Sequence, residues 1–142
     1  MTENKIYKRE LYLNKIRGFY HDSEMIKVIT GIRRCGKSFL LKSMIEELRD
    51  SGVKEDNIIY IQLDSKKNKG IKTSEQLENL IDAQIKNDGF QYLFIDEIQN
   101  VEGFESVIEA YRLEGNFSIF ITGSNSYLLS RRISNKAYRK EN

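Results

Sequence analysis

The chain has 142 residues, of which 39% are hydrophobic and 31% charged, with 23 Lys and Arg against 21 Asp and Glu for a formal net charge of +2. That length suits one compact domain, and the near balance of charge argues neither for nor against a polyanionic partner. With no apolar stretch near twenty residues, no apolar region behind the first charges and a single cysteine, the composition speaks against a membrane span, a secretory leader and an internal disulfide. The expectation is a soluble protein of the reducing cytoplasm, with no membrane partner.

In chain order, Leu13, Ile16 and Tyr20 mark one face of a helix expected over 6–20. "MIKVIT" (Met25 to Thr30) is a first strand, rich in β-branched residues. Leu40, Leu41, Met44, Ile45 and Leu48 then recur at helical spacing. "IIYIQL" (Ile58 to Leu63) is a second strand, followed by the basic loop "DSKKNKGIKT", Asp64 to Thr73. That loop has no interleaved aromatic residue, and both a solvated surface and a contact with nucleic-acid phosphates are open to it. Thr73 and Gln76 have the spacing of a capping box ahead of a helix bearing Leu77, Leu80, Ile81 and Ile85. "YLFID" (Tyr92 to Asp96), a helix with Phe104, Val107, Ile108 and Tyr111 on its buried side, and "FSIFIT" (Phe117 to Thr122) complete the alternation. Helix, then strand-helix pairs, predicts an α/β domain with a parallel sheet sandwiched between helices.

In such a sheet ligands bind beyond the carboxyl ends of the strands. After the first strand comes Gly31-Ile32-Arg33-Arg34-Cys35-Gly36-Lys37-Ser38, then Phe39, which matches GxxxxGK[ST] between a strand and a helix. Gly31 and Gly36 allow a tight turn and close approach of backbone amides to anionic oxygens. The helix N-terminus attracts phosphate, Lys37 reaches the β- and γ-phosphates, and the Ser38 hydroxyl suits Mg²⁺. Gly31 through Phe39 are therefore candidate nucleotide-binding residues. Cys35 among Arg33, Arg34 and Lys37 is placed for a lowered thiol pKa, or is simply a variable position of a loop that works through its backbone.

The third strand drives Asp96 and Glu97 out at the sheet's carboxyl edge. Asp96 suits holding Mg²⁺ through water or through Ser38, and Glu97 suits polarising an attacking water; an acid here also serves as a helix N-cap. The fourth strand ends in Thr122, Gly123, Ser124 and Asn125. If it inserts between the first and third, Ser124 or Asn125 can sense the γ-phosphate; both also suit a helix cap. His21, the only histidine, has no second ligand at metal spacing and reads as a surface residue.

Together "VITGIRRCGKSFLL", "YLFIDEIQNVEGFESVI" and "IFITGSNSYLLS" resemble the AAA-type (AAA+) P-loop ATPase domain of a prokaryotic predicted-ATPase family whose members usually carry a further C-terminal domain of unknown function. The resemblance covers about Tyr7 to Ser130. It implies a three-layer α-β-α P-loop sheet with the fourth strand between the first and third, and ATP with Mg²⁺ as ligands. Lys37 and Ser38 become the Walker A pair, Asp96 and Glu97 the Walker B pair, and Ser124 or Asn125 sensor 1, with Glu97, Lys37, Ser124 and Asn125 as the catalytic set.

On this reading 1–130 is the nucleotide-binding domain and 131–142, "RRISNKAYRKEN", a basic tail, with no fifth strand visible. Arg131, Arg132 and Arg139 are then either solvated or a finger offered to a neighbouring copy. Three functions follow: a Mg²⁺-dependent ATPase whose site is completed by other segments or by a homo-oligomer, an ATP-binding module with little hydrolysis, or an assembly protein associated with nucleic acid.

Overall fold

A computed structural model of the chain describes residues 10–29, 35–123 and 138–141. Residues 10–16 form a helix (α1) that tightens into a 3₁₀ turn at Arg17–Phe19. The strands are β1 (Ile26–Ile29), β2 (Ile58–Gln62), β3 (Gln91–Asp96), β4 (Phe117–Thr122) and β5 (Tyr138–Glu141), and the further helices are α2 (Cys35–Asp50), α3 (Ser74–Gln84) and α4 (Phe104–Glu114). Every strand pairing is parallel, in the order β2-β3-β4-β1-β5. The fourth strand does lie between the first and the third.

A fifth strand, not visible in the sequence, is present. Tyr138–Glu141 pairs with β1, Ile26 opposite Tyr138 and Ile29 opposite Glu141. "YRKE" has no apolar run because an edge strand needs a backbone ladder on one side only and accepts charged residues there. Four residues of the expected tail thus extend the sheet.

Alternation along the strands divides the apolar residues between two cores. Val28, Ile61, Ile95 and Ile121 face Leu77 and Ile81 of α3 and Phe104, Val107, Ile108 and Tyr111 of α4. Ile29, Phe94 and Phe120 face Leu13 and Ile16 of α1 and Leu40, Leu41, Met44, Ile45 and Leu48 of α2. The inner strands β3 and β4 are buried at every residue, whereas β2, at the edge, alternates between buried and half-buried positions. Phe94 and Phe120 stack across neighbouring strands, centroids 4.6 Å apart and planes 7° off parallel, a pairing that contributes about 0.5–1.5 kcal/mol beyond its buried area.

The capping box forms as its spacing predicts. The Gln76 amide donates to Thr73 Oγ1 at 3.2 Å, and Gln76 Oε1 accepts from the Thr73 amide at 3.1 Å. Two of the orphan donors at the start of α3 are thereby satisfied.

At the amino edge of the sheet Lys27 is fully buried. Its ammonium donates to the Asp22 carbonyl and, at 3.0 Å, to Ser118 Oγ, and lies 4.7 Å from the centre of the Phe120 ring. Ser118 in turn donates to the Tyr20 carbonyl at 2.7 Å. Desolvation lowers the Lys27 pKa from 10.5 to about 7, only partly opposed by the Asp22 charge. His21 is exposed as expected, yet its Nδ1 lies 2.6 Å from the Tyr92 hydroxyl and so helps seat the same segment on the sheet.

Candidate functional site

β1 ends at Ile29 and α2 starts at Cys35, so the backbone of Gly36, Lys37 and Ser38 lies in the first turn of a helix that follows the carboxyl end of a strand. This is the strand-loop-helix setting that the phosphate-loop pattern requires. Gly31, Ile32, Arg33 and Arg34 lie outside the described residues, as do Ser124 and Asn125. Phe39, in the same part of α2, is exposed.

β3 and β4 converge on the same edge. Asp96 is the last residue of β3 and is 2% exposed, and Thr122 is the last residue of β4 and fully buried. The Thr122 hydroxyl donates to Asp96 Oδ1 and accepts the Glu97 amide at 3.1 Å. One hydroxyl therefore fixes both the carboxylate of the first acid and the backbone of the second.

Glu97 has φ 59° and ψ 49°, and among the described residues it is the only one other than glycine with positive φ. A left-handed conformation in a residue with a Cβ costs about 1–3 kcal/mol and persists only where its surroundings enforce it. Here the enforcement is the hydrogen bond that the Glu97 amide donates to Thr122 Oγ1, followed by the 3₁₀ turn Ile98–Asn100 with Ile98 and Val101 fully buried. The conformation turns the chain sharply off the end of β3. Gln99 then reaches back, its Nε2 donating to Glu97 Oε1 at 2.7 Å, and aims the carboxylate.

The acids are also tied to the sheet's outer strand. The Leu63 amide donates to the Asp96 carbonyl at 3.1 Å, and Gln62 is in register with Asp96. Beyond the 3₁₀ turn, the Glu102 amide donates to the Lys72 carbonyl at 2.9 Å, with an isolated parallel bridge between Thr73 and Glu102. The segment carrying Asp96 and Glu97 is thus fastened on both sides.

Sequence reasoning singled out Asp96 and Glu97 but not the groups that orient them. From the sequence Thr122 reads only as a strand end, and Gln99 is not singled out. The signal available was "DEIQN": a glutamine two residues after an acid, on the far side of a sharp turn, is within reach of that acid's carboxylate. Among the described residues no group of three or more His, Cys, Asp and Glu is arranged to hold a metal ion. A Mg²⁺ ion carried by a nucleotide takes only one or two protein ligands, and a buried aspartate at the carboxyl end of β3, the same sheet edge from which the chain leads into α2, fits that need. No helix among the described residues is long and apolar enough to cross a membrane.

A family model described as an AAA domain matches residues 23–141. An uncharacterised protein of Haemophilus influenzae is 39% identical over 123 residues, 86% of this chain and 30% of that protein. An uncharacterised protein of Methanocaldococcus jannaschii is also 39% identical, over 77% of this chain and 23% of its own length. The chain therefore spans less than a third of these curated relatives. In fold it is similar to a DNA polymerase III gamma subunit-related protein of Thermotoga maritima, with a TM-score of 0.61 and 12% identity over 92% of this chain and 46% of that one. It is also similar to the Aeropyrum pernix ORC2 protein in its ADPNP-ADP complexes, with a TM-score of 0.51 and 13% identity over 98% of this chain and 46% of that one. With the family match running from ahead of β1 into β5 and enclosing both strand ends that meet at Thr122, the chain belongs to the AAA domain family, the P-loop class of ATP-binding domains.

Proposed function

We propose that this domain binds ATP with Mg²⁺ on the loop 31–38 and hydrolyses it to ADP and phosphate. The reading rests on one juxtaposition: Asp96 and Glu97, joined by the Thr122 hydroxyl, end at the same sheet edge as the strand that leads into α2. Backbone amides of the loop and the start of α2 cradle the phosphates, with Lys37 paired to their charge. Ser38 and Asp96 hold Mg²⁺, which when bound neutralises charge developing on the phosphate oxygens. Glu97 accepts a hydrogen bond from the attacking water and takes its proton as the bond to phosphorus forms. Ser124 or Asn125, just past Gly123, contacts the γ-phosphate or that water.

The presence of β5 supports turnover, since it supplies the strand flanking β1 that the sequence did not reveal. Arg139 sits within that strand, in register with Lys27, so its backbone is part of the sheet and not of a loose tail. Arg131 and Arg132 lie outside the described residues and remain the candidates for completing a neighbouring copy's site in a homo-oligomer.

The test is a nucleotide titration followed by phosphate release on the same samples. Lys37→Ala lowers ATP affinity about 10- to 100-fold, the worth of a charge-assisted bond. Glu97→Gln keeps that affinity and lowers turnover about 10²- to 10⁴-fold. Phosphate release from the unaltered chain no faster than from Lys37→Ala would sink the hydrolytic reading. Tight ATP binding with flat release would leave a binding module whose turnover depends on other segments or subunits.

A further inference from the structure

The turn leaving β2 carries Lys66, Lys67, Lys69 and Lys72 against one acid, Asp64. All four lysines are exposed. Arg17, Arg49 and Arg112 pair with carboxylates, whereas these lysines pair with none among the described residues.

An ordinary solvated lysine run needs no fixed scaffold, and this one has a fixed scaffold. The Gln62 carbonyl accepts from Ser65 Oγ at 2.8 Å and from the Asn68 side-chain amide at 2.9 Å, and Asn68 is only 7% exposed. Backbone bonds from Asn68 to Ser65 and from Ile71 to Asn68, each 3.0 Å, close the turn, and Ile71 packs on the core beneath α3 and α4. Burying Asn68 fixes the backbone that carries the exposed lysines, so the backbone part of the ordering cost is already met by folding, and only the side chains order on binding. Both ends of the turn are hydrogen-bonded to the segment bearing Asp96 and Glu97, which places the lysines at the carboxyl edge of the sheet.

We propose that this turn is a docking surface for the phosphate backbone of duplex nucleic acid. Four point charges on a rigid turn suit a repeating polyanion. With no aromatic residue between Asp64 and Thr73 to stack on exposed bases, they suit the phosphates of a duplex and not the bases of a single strand. Recognition is independent of base sequence and does not require ATP hydrolysis, so the proposal stands or falls apart from the one above.

The experiment is fluorescence anisotropy of a labelled random-sequence duplex with the purified chain and two double variants of equal charge change. In one, Lys66→Glu and Lys67→Glu alter the turn. In the other, Lys54→Glu and Lys86→Glu alter exposed lysines near the starts of β2 and β3, at the opposite edge. The unaltered chain binds with a log–log salt slope of about −3 to −4, and the turn variant loses about tenfold in affinity and about two from that slope. The opposite-edge variant retains its affinity to within about twofold, as expected for lysines outside the contact. Equal losses in the two variants overturn the proposal. So does labelled polyglutamate binding as tightly as the duplex at the same salt, which would assign the turn to an acidic protein.

Discussion

The two ends of β4 solve one problem with the same chemistry and to different ends. Ser118 and Thr122 lie four residues apart on one face of the strand with Phe120 between them, and each uses its hydroxyl to join two other groups. At the amino edge Ser118 accepts from Lys27 and donates to the Tyr20 carbonyl, while Lys27 also bonds the Asp22 carbonyl. That cluster is closed by backbone groups and holds the segment 20–22 to the sheet. At the carboxyl edge Thr122 joins two acids, and the chain then passes through a left-handed glutamate. Buried polarity without strain maintains the fold; buried polarity with strain marks the place where chemistry is expected.

The largest expected effect separates the two ends by pH. Lys27 has its pKa lowered from 10.5 to about 7. Between those values the unfolded chain holds a proton that the folded chain has released, so stability rises with pH by up to roughly 1.4 kcal/mol per unit. Below about 7 both states are protonated and this contribution no longer changes. Urea melts on either side of neutrality therefore show the folded state gaining stability on the alkaline side, and Lys27→Met removes that gain without altering ATP affinity. An unchanged pH profile in Lys27→Met would show that the amino edge does not titrate as described.

Thr122→Val keeps the shape and deletes the hydroxyl. It costs about 1–3 kcal/mol, because a carboxylate oxygen and an amide each lose a partner in a buried place. Phosphate release falls about tenfold, as the two acids lose their common anchor. Stability lost with turnover intact would make Thr122 another Ser118. Smallest is Thr73→Ala, which costs about 1 kcal/mol by removing a helix cap and leaves turnover unchanged. A large drop in turnover would instead mean that the start of α3 is coupled to the acids through the bridge between Thr73 and Glu102.

What the sequence made legible followed from local periodicity. The inner strands, the helix faces and the Thr73–Gln76 cap are all stated within a few neighbouring residues, and "FSIFIT" matches β4 residue for residue. Asp96 and Glu97 could be placed because an apolar strand must end somewhere, and they follow it. β5 was illegible because its partner β1 lies more than a hundred residues earlier and an edge strand carries little apolar signature. Lys27 passed as one polar residue in "MIKVIT", since its partners at Asp22 and Ser118 are set by packing. Nothing in a glutamate announces positive φ, and only the turn after β3 reveals it.

The position of β4 also has a consequence for how the chain acquires its shape. β2 and β3 are joined through α3, and β4 follows through α4, so those three strands can assemble outward from near neighbours in sequence. Of the five strands β1 is made first, yet it pairs with Ile119 to Thr122 on one side and Tyr138 to Glu141 on the other, and has no strand partner until β4 is made. Long-range parallel pairing of this kind is slow, because the closure entropy precedes the contacts that repay it. The strand that leads into α2 thus waits for β4, and because β4 also carries Thr122, one strand completes both the seating of β1 and the anchoring of Asp96 and Glu97.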